Sequence, residues 1–159
     1  MKPDPNLVTW SARYSVGIKL LDEQHKGLFN LVNEMYNHVN NNDDEEAEWA
    51  YFQSIIKQVV DHIKKHFATE EIIMKETKFQ GYAEHKKVHD SFILSMVDII
   101  KKFDEKKRVP LKSLINSIKD WILTHIAIVD KQDFEHLIKG AARKPNGKLN
   151  VTQAAIAVI

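Results

Sequence analysis

Apolar residues recur three and four positions apart along four long stretches of this 159-residue chain. This spacing places them on one face of an α-helix, because a helix has about 3.6 residues per turn. The chain contains only five glycines and four prolines, which disfavour helices, and most of them lie between the periodic stretches. The pattern therefore predicts an all-α protein built from four long helices.

Capping and helix-breaking residues set the expected limits of these helices. Asp43 or Asp44 can cap the second helix, Pro110 suits the first turn of the fourth, and Gly140 suits the position just past its end. In chain order we expect helices over about residues 22–40, 45–75, 82–106 and 110–139. Their short links favour an antiparallel up-down-up-down four-helix bundle.

The segments outside these helices form an N-terminal arm, residues 1–20, and a C-terminal tail, residues 141–159. Trp10 gives the arm an apolar anchor. The length of the chain fits one domain. We therefore assign residues 1–140 to that domain and treat residues 141–159 as an appended tail.

Composition and charge exclude several classes of function. The chain has 23 basic and 22 acidic residues and a formal net charge of +1, so no nucleic-acid surface is expected. The absence of cysteine excludes disulfides, thiolate metal sites and a cysteine nucleophile. No run of about 18 apolar residues is present, and the N-terminus lacks the apolar core of a signal peptide. We therefore expect a cytoplasmic protein with no membrane span.

Ionisable side chains interrupt the apolar faces of all four helices. Burying such a group costs several kcal/mol unless it is paired or binds a metal. In an antiparallel bundle these positions all fall toward the same end, so seven potential metal ligands would meet in one layer. They are His25 on the first helix, His66 and Glu70 on the second, His85 and His89 on the third, and His125 and Asp130 on the fourth.

Spacing along each helix decides which of these side chains can share a site. On the second and third helices the two candidates are four residues apart and lie one above the other. His125 and Asp130 are five apart, about 140° around an α-helix. We therefore expect them to reach inward from the two flanks of a face centred on Ile122 and Val129.

Five imidazoles and two carboxylates are too many donors for one metal ion, which takes about six. A pair of ions bridged by both carboxylates would use all seven. Imidazole suits iron, copper, zinc and nickel. The nitrogen–oxygen donor set without sulfur, on a four-helix bundle, favours iron.

Four segments of the chain resemble the metal motifs of the hemerythrins. They are Asp22-Glu23-Gln24-His25, His66-Phe67-Ala68-Thr69-Glu70-Glu71, His85-Lys86-Lys87-Val88-His89 and His125-Ile126-Ala127-Ile128-Val129-Asp130. Trp10 and Val16-Gly17-Ile18 are similar to the N-terminal arm of the bacterial members. The resemblance covers roughly residues 8–139.

This resemblance implies a di-iron centre. The ligand sets it implies are His85, His89 and His125 for one iron, and His25 and His66 for the other, which keeps one position open for dioxygen. Glu70 and Asp130 would bridge the two ions together with an oxo or hydroxo group. The irons would alternate between Fe2+ and Fe3+.

The implied function is reversible dioxygen binding for oxygen carriage, storage or delivery, without enzymatic activity. An oxidase or oxygenase that receives the oxygen is the implied partner. A dry pocket would limit proton entry and slow autoxidation. The implied pocket residues are Leu28, Phe67, Trp121 and Ile126. Two alternatives stay open: a sensor of oxygen, iron or redox state that uses the tail as a contact, and a di-iron peroxidase or nitric-oxide-handling enzyme.

The remaining histidines and one glutamate receive simpler interpretations. His62 lies one turn before a predicted ligand, and we place it beside the site or at the edge of the bundle. His38 and His136 are expected to face solvent. Glu71 is expected to be solvated or to pair with a lysine.

The sequence departs from the hemerythrin pattern at one corner of the predicted site. Hemerythrins often have an aromatic residue three positions after the aspartate ligand. Here that position is Asp133, and Phe134 follows it. The resemblance therefore gives no expectation of how the pocket closes at this corner.

Overall fold

Four helical rods make up the computed structural model, which describes residues 6–41, 44–105 and 110–142. A 3₁₀ turn, Ala12–Tyr14, precedes them in the N-terminal arm. The rods are α1 (Lys19–Asn40), α2 (Glu45–Glu76), α3 (Tyr82–Asp104) and a fourth that joins α4 (Leu111–Thr124), a π-helical turn (His125–Asp130) and α5 (Lys131–Ala142). Within the described ranges there is no strand, and no helix is both long and apolar enough to cross a bilayer.

Contacts between neighbouring rods show that their directions alternate. The side-chain amide of Gln24, near the start of α1, donates to the hydroxyl of Thr69 near the end of α2. His38, near the end of α1, stacks on Tyr51 near the start of α2. The same inverse order holds for the next two rod pairs, in the contacts Phe67–Phe92, Glu70–His85, Phe92–Trp121 and His85–Phe134. The predicted up-down-up-down bundle is confirmed.

The starts of the first two helices differ in how they are capped. Asp44 caps α2, because its carboxylate accepts a hydrogen bond from the backbone N–H of Glu46. The start of α1 is three residues earlier than predicted, at Lys19. Asp22 ties down the arm instead of capping the helix: it accepts hydrogen bonds from the Ser15 hydroxyl at 2.6 Å and the Val16 N–H at 2.8 Å.

A compact turn joins α2 to α3 and keeps adjacent the ends that carry the predicted metal ligands. Lys78 adopts a left-handed conformation with φ of 53°. The N–H of Phe79 then bonds to the carbonyl of Met74 at 2.9 Å, and the N–H of Lys78 to that of Lys75 at 3.0 Å. These are the two bonds of a Schellman motif, which satisfy carbonyls at the end of a helix.

The fourth rod continues past its predicted end. Gly140 was expected just beyond the helix, but α5 runs to Ala142 and includes it. A glycine inside a helix is unfavourable by only about 1 kcal/mol, and the buried Phe134 and Leu137 hold α5 against the bundle. The predicted end of the third helix at Lys106 and the tail from residue 143 onward lie outside the described residues. The division between domain and tail stays a prediction.

Two apolar clusters fill the bundle, and a polar layer separates them. On α1, His25 lies one turn after Leu21 of the smaller cluster and one turn before Leu28 of the larger. Each fully buried aliphatic or aromatic side chain contributes about 1.5–3 kcal/mol, which offsets the cost of burying the polar layer. The smaller cluster consists of Val16, Ile18, Leu21, Ile73, Met74, Phe134 and Leu137.

Gly17, where the arm turns into α1, has a φ of +80°, which residues with a side chain rarely adopt. A Cβ at this position would also lie 3.2 Å from Cδ1 of Ile138. We expect Gly17→Ala to lower the free energy of unfolding by about 1–2 kcal/mol, measured by urea denaturation of the metal-free protein. In the control Gly140→Ala, the new Cβ meets no atom within 4 Å, so stability should stay the same or rise. Equal effects of the two substitutions would contradict this account.

Candidate metal centre

All seven predicted side chains converge in the polar layer, and every rod contributes at least one. Their relative exposures are 2% or less. They are His25, His66, Glu70, His85, His89, His125 and Asp130. Such a concentration of histidine and carboxylate groups in a dry interior is suited to binding metal.

The donor atoms fall into two sets that share both carboxylates. One set contains three histidines and the other contains two, and within each set the donor atoms lie within 4.8 Å of one another. Among the described residues, no further group of this kind occurs. The sets are His85, His89 and His125 with Glu70 and Asp130, and His25 and His66 with the same two carboxylates.

Each carboxylate turns one oxygen toward each set of histidines. Glu70 Oε1 lies 3.4 Å from His66 Nε2 and 3.7 Å from His25 Nε2. Asp130 Oδ2 lies 3.2 Å from the same nitrogen of His25. The second oxygens face the three-histidine set, at 3.1 Å for Glu70–His89, 2.8 Å for Asp130–His125, and 3.4 Å from each carboxylate to His85. A carboxylate that bridges two ions has this arrangement.

A π-helical turn brings His125 and Asp130 to the same site. The hydrogen bonds of such a turn link residues five apart, so the two side chains lie nearly in line, with Nε2 and Oδ1 2.8 Å apart. The prediction that they straddle a face centred on Ile122 and Val129 was wrong, because it assumed a uniform α-helix. Ile122 is buried as expected, but Val129 is only half-buried.

Several buried donor atoms have a geometry that a bound metal would explain. His89 Nε2 and His125 Nε2 lie only 3.2 Å apart, and in the unprotonated form that binds metal their lone pairs would repel each other unless a cation lay beside them. A buried polar atom without a partner costs about 1–3 kcal/mol, and metal ions would supply the missing partners. Within the described residues, no contact of hydrogen-bond geometry reaches His25 Nε2, His66 Nε2, Glu70 Oε1 or either oxygen of Asp130. Histidine nitrogens and carboxylate oxygens instead face each other at ion-pair distances. The residues present therefore fit a pair of metal ions.

Charge interactions within the layer compete with burial. Burial lowers the pKa of a histidine, but the carboxylates of Asp130 and Glu70 outweigh it, raising the pKa of His25 to about 9 and that of His125 to about 10. For His66 burial prevails and lowers the pKa to about 3. Burial would raise the pKa of both carboxyl groups, but the surrounding histidines hold each below its ordinary value. At neutral pH the metal-free layer therefore pairs protonated histidines with ionised carboxylates.

Three hydrogen bonds orient ligand rings from outside the layer. The Nδ1 atoms donate in the pairs His66–Gln24 at 3.0 Å, His85–Asp133 at 2.7 Å and His89–Glu71 at 3.1 Å. Such outer partners fix the orientation of a ligating imidazole and raise its basicity. The interpretation of Glu71 as solvated or lysine-paired was wrong, because its carboxylate contacts a ligand ring.

Sequence reasoning did not predict that Gln24 would be an outer partner of a histidine, although a signal was present. Gln24 and Glu71 each directly adjoin a predicted ligand in the chain. Adjacent residues differ in direction by about 100° on a helix, so both lie at the flank of their rod, where the neighbouring rod presents the outer edge of a ligand ring. A polar residue beside a ligand is therefore a candidate outer partner.

The three histidines outside the donor sets have separate surroundings. His62 lies beside the layer: its Nε2 is 3.0 Å from the backbone oxygen of Gln24, and its ring covers Gly27, where a Cβ would lie 2.5 Å from the ring. His38 was expected to face solvent, which is wrong, because it is half-buried and stacked on a tyrosine ring. His136 is exposed, as predicted.

Aromatic rings pack directly on two predicted ligands of the three-histidine set. Phe67 stacks on His89 with ring centroids 3.7 Å apart, and Trp121 stacks on His125 at 4.5 Å. These rings restrict the movement of the imidazoles and exclude water from that face. Of the predicted pocket residues, Leu28, Phe67 and Ile126 are buried and Trp121 is half-buried; their role as an oxygen pocket stays a prediction.

Comparison with known proteins agrees with this geometry. The family model for the hemerythrin HHE cation binding domain matches residues 16–137. The chain is 29% identical over 129 residues to a bacteriohemerythrin of Methylococcus capsulatus, an alignment that covers 79% of this chain and 92% of the relative. It is 28% identical to a myohemerythrin of Sipunculus nudus, covering 80% and 92%. The solved structure of a wild-type hemerythrin superposes with a TM-score of 0.70 at 26% identity, covering 82% of this chain and 98% of that one.

We expect His85→Ala to reduce the metal content from about two ions per chain to one or fewer, because it removes a nitrogen that faces both carboxylates. Metal analysis after anaerobic loading with Fe2+ measures this. The matched control is His136→Ala, which removes an exposed histidine and should keep the full metal content. A His85→Ala protein that retained both ions would contradict the ligand set.

Metal binding should release protons at pH 7 and fewer at higher pH. The raised pKa values of His25 and His125 mean that both rings are protonated in the metal-free protein at pH 7 and lose that proton as the pH passes about 9 to 10. A metal binds only the unprotonated ring. Loading at pH 7 should therefore release about one to two more protons per chain than loading at pH 10, where His125 is still partly protonated, as measured with a pH indicator in weak buffer. Equal release at the two pH values would contradict this charge distribution.

Proposed function

Since the chain belongs to the hemerythrin family, we propose that it binds dioxygen reversibly at a centre of two iron ions and serves to carry, store or deliver oxygen. The observation that carries this proposal is the sharing of two carboxylates by unequal sets of histidines. Two ions held in this way would be close enough to act on one oxygen molecule. When bound, the iron pair supplies the electrons that reversible oxygen binding requires.

The unequal sets support one open coordination position. His85, His89 and His125, with one oxygen from each carboxylate, provide five donors, whereas the other set provides four. An ion of this kind takes about six donors. One bridging oxygen from solvent would complete the first ion and leave a single position free on the ion held by His25 and His66. A single open position favours one small ligand.

The surroundings of the layer support carriage over catalysis. Leu28, Phe67 and Ile126 are buried and apolar, so they exclude water and offer no proton to bound oxygen. The hydroxyl of Thr69, buried nearby, already donates to the Lys65 carbonyl at 2.8 Å and accepts from an amide. An enzyme that cleaves the O–O bond needs protons delivered to the oxygen, and these groups do not supply them.

Reversibility is the property that tests the proposal. We expect anaerobically loaded, reduced protein to gain visible absorption bands on exposure to air and to lose them under vacuum over repeated cycles, because the dry layer limits proton entry. Absorption spectroscopy with parallel oxygen-electrode measurements should show about one oxygen per two irons.

Two variants serve as controls for this experiment. His66→Ala removes a donor from the set with the open position and should abolish the oxygen-dependent bands. His136→Ala should behave like the unaltered protein. Irreversible loss of the bands with accumulation of an oxidised product or substrate would instead support the enzyme interpretation.

A further inference from the structure

The outer hydrogen bonds of the layer divide charge unequally between its two halves. In the three-histidine set, His85 and His89 donate to carboxylates, those of Asp133 at 2.7 Å and Glu71 at 3.1 Å. In the two-histidine set, His66 donates to the neutral amide of Gln24 at 3.0 Å. Among the hydrogen-bond partners of these three rings, two carboxylates thus stand behind the three-histidine half and a neutral amide stands behind the other.

The nature of each partner fixes which nitrogen of each ring carries the proton. An ionised carboxylate only accepts hydrogen bonds, so Nδ1 of a neutral His85 or His89 holds the hydrogen and Nε2 keeps its lone pair for a metal. The orientation of Gln24 is set by Thr69, whose hydroxyl donates to a backbone oxygen and so accepts from the amide nitrogen of Gln24. The amide oxygen therefore faces His66, and the same tautomer results.

Asp133 is well placed to orient the imidazole of His85 through their hydrogen bond. It lies on α5, one turn after Asp130 at the end of the π-helical turn, so the rod that supplies a shared carboxylate also supplies this outer one. Its side chain is 27% exposed, whereas that of His85 is fully buried. Phe134, the next residue, is fully buried and lies 6.3 Å from the ring of His85. The aromatic packing expected at this corner is thus supplied by Phe134, and position 133 is available for a charge.

We propose that Asp133 is a positioning residue that orients the imidazole of His85 and makes it a stronger donor, and that Glu71 does the same for His89. The three-histidine half then stabilises Fe3+ more than the other half does. This inference rests on the proposed function only in requiring two bound iron ions. A hydrogen bond to a carboxylate raises the basicity of an imidazole ligand, and a nearby negative charge favours the more positive oxidation state. Because the amide of Gln24 is neutral, it does not strengthen the imidazole of His66 in this way, in the half with the open position.

Reduction potentials of variants that keep the shape of each side chain but change its charge test the inference. Asp133→Asn keeps the shape of the side chain and removes its charge, and Glu71→Gln does the same for the second carboxylate. Each should raise the midpoint potential of the iron pair. A tenfold weaker preference for Fe3+ corresponds to a rise of about 59 mV for a one-electron couple. Gln24→Glu adds a charge behind the other half and should lower the midpoint. Redox titration with mediators measures these shifts.

Controls separate this effect from general charge and from folding. Asp98→Asn removes an exposed carboxylate on α3 that is paired with Lys102, and it should leave the midpoint unchanged. Asp133→Glu should restore most of the effect. The affinity for Zn2+ should fall about 10- to 100-fold in Asp133→Ala. In Asp133→Asn an amide oxygen can still accept the hydrogen of His85 Nδ1, so the thermal unfolding temperature of the metal-free protein should stay close to that of the unaltered chain.

The outcomes distinguish this inference from the proposed function. An unchanged midpoint in Asp133→Asn, or an equal shift in Asp98→Asn, would overturn the inference even if the unaltered protein binds oxygen reversibly. The expected shifts in a protein that fails to bind oxygen would support the inference and contradict the proposed function. Failure of the unaltered chain to bind a second iron ion would overturn both.

Discussion

The burial of seven ionisable side chains in one dry layer is the constraint on which the rest of this structure depends. An isolated charge in a protein interior costs several kcal/mol. Here the carboxylates of Glu70 and Asp130 stand at the centre, and each faces histidines from both sets. Four rods are needed to bring these groups together, and the apolar clusters above and below keep water out. The fold and the candidate centre are therefore parts of one packing arrangement.

The π-helical turn shows how a local backbone change serves that arrangement. In a uniform α-helix, His125 and Asp130 would point about 140° apart. The wider turn lets both reach the layer, while Ile126 still packs in the larger apolar cluster and Phe134 in the smaller. Turns of this kind are rare and are often found at functional sites, which agrees with the position of this one.

The groups around the seven side chains restrict which reactions this set of donors can support. Apolar and aromatic residues exclude water and protons from the layer, which suits the binding of a small molecule that dissociates again without reacting. The outer hydrogen bonds supply a difference between the halves that the donor sets alone do not give, because carboxylates lie behind one half and an amide behind the other. Asp133 accepts a hydrogen bond from His85 Nδ1, and this contact gives its carboxylate a place in the arrangement.

The sequence by itself determined the four helices, their antiparallel order and the meeting of His25, His66, Glu70, His85, His89, His125 and Asp130 in one layer, because helical periodicity and short links restrict where each residue can lie. It did not determine the π-helical turn, since periodicity arguments assume a uniform pitch. Nor did it determine the partners of the outer nitrogens, as the error over Glu71 shows. Those contacts join residues of different rods, and the rotation of each rod about its axis is set only when all four pack together.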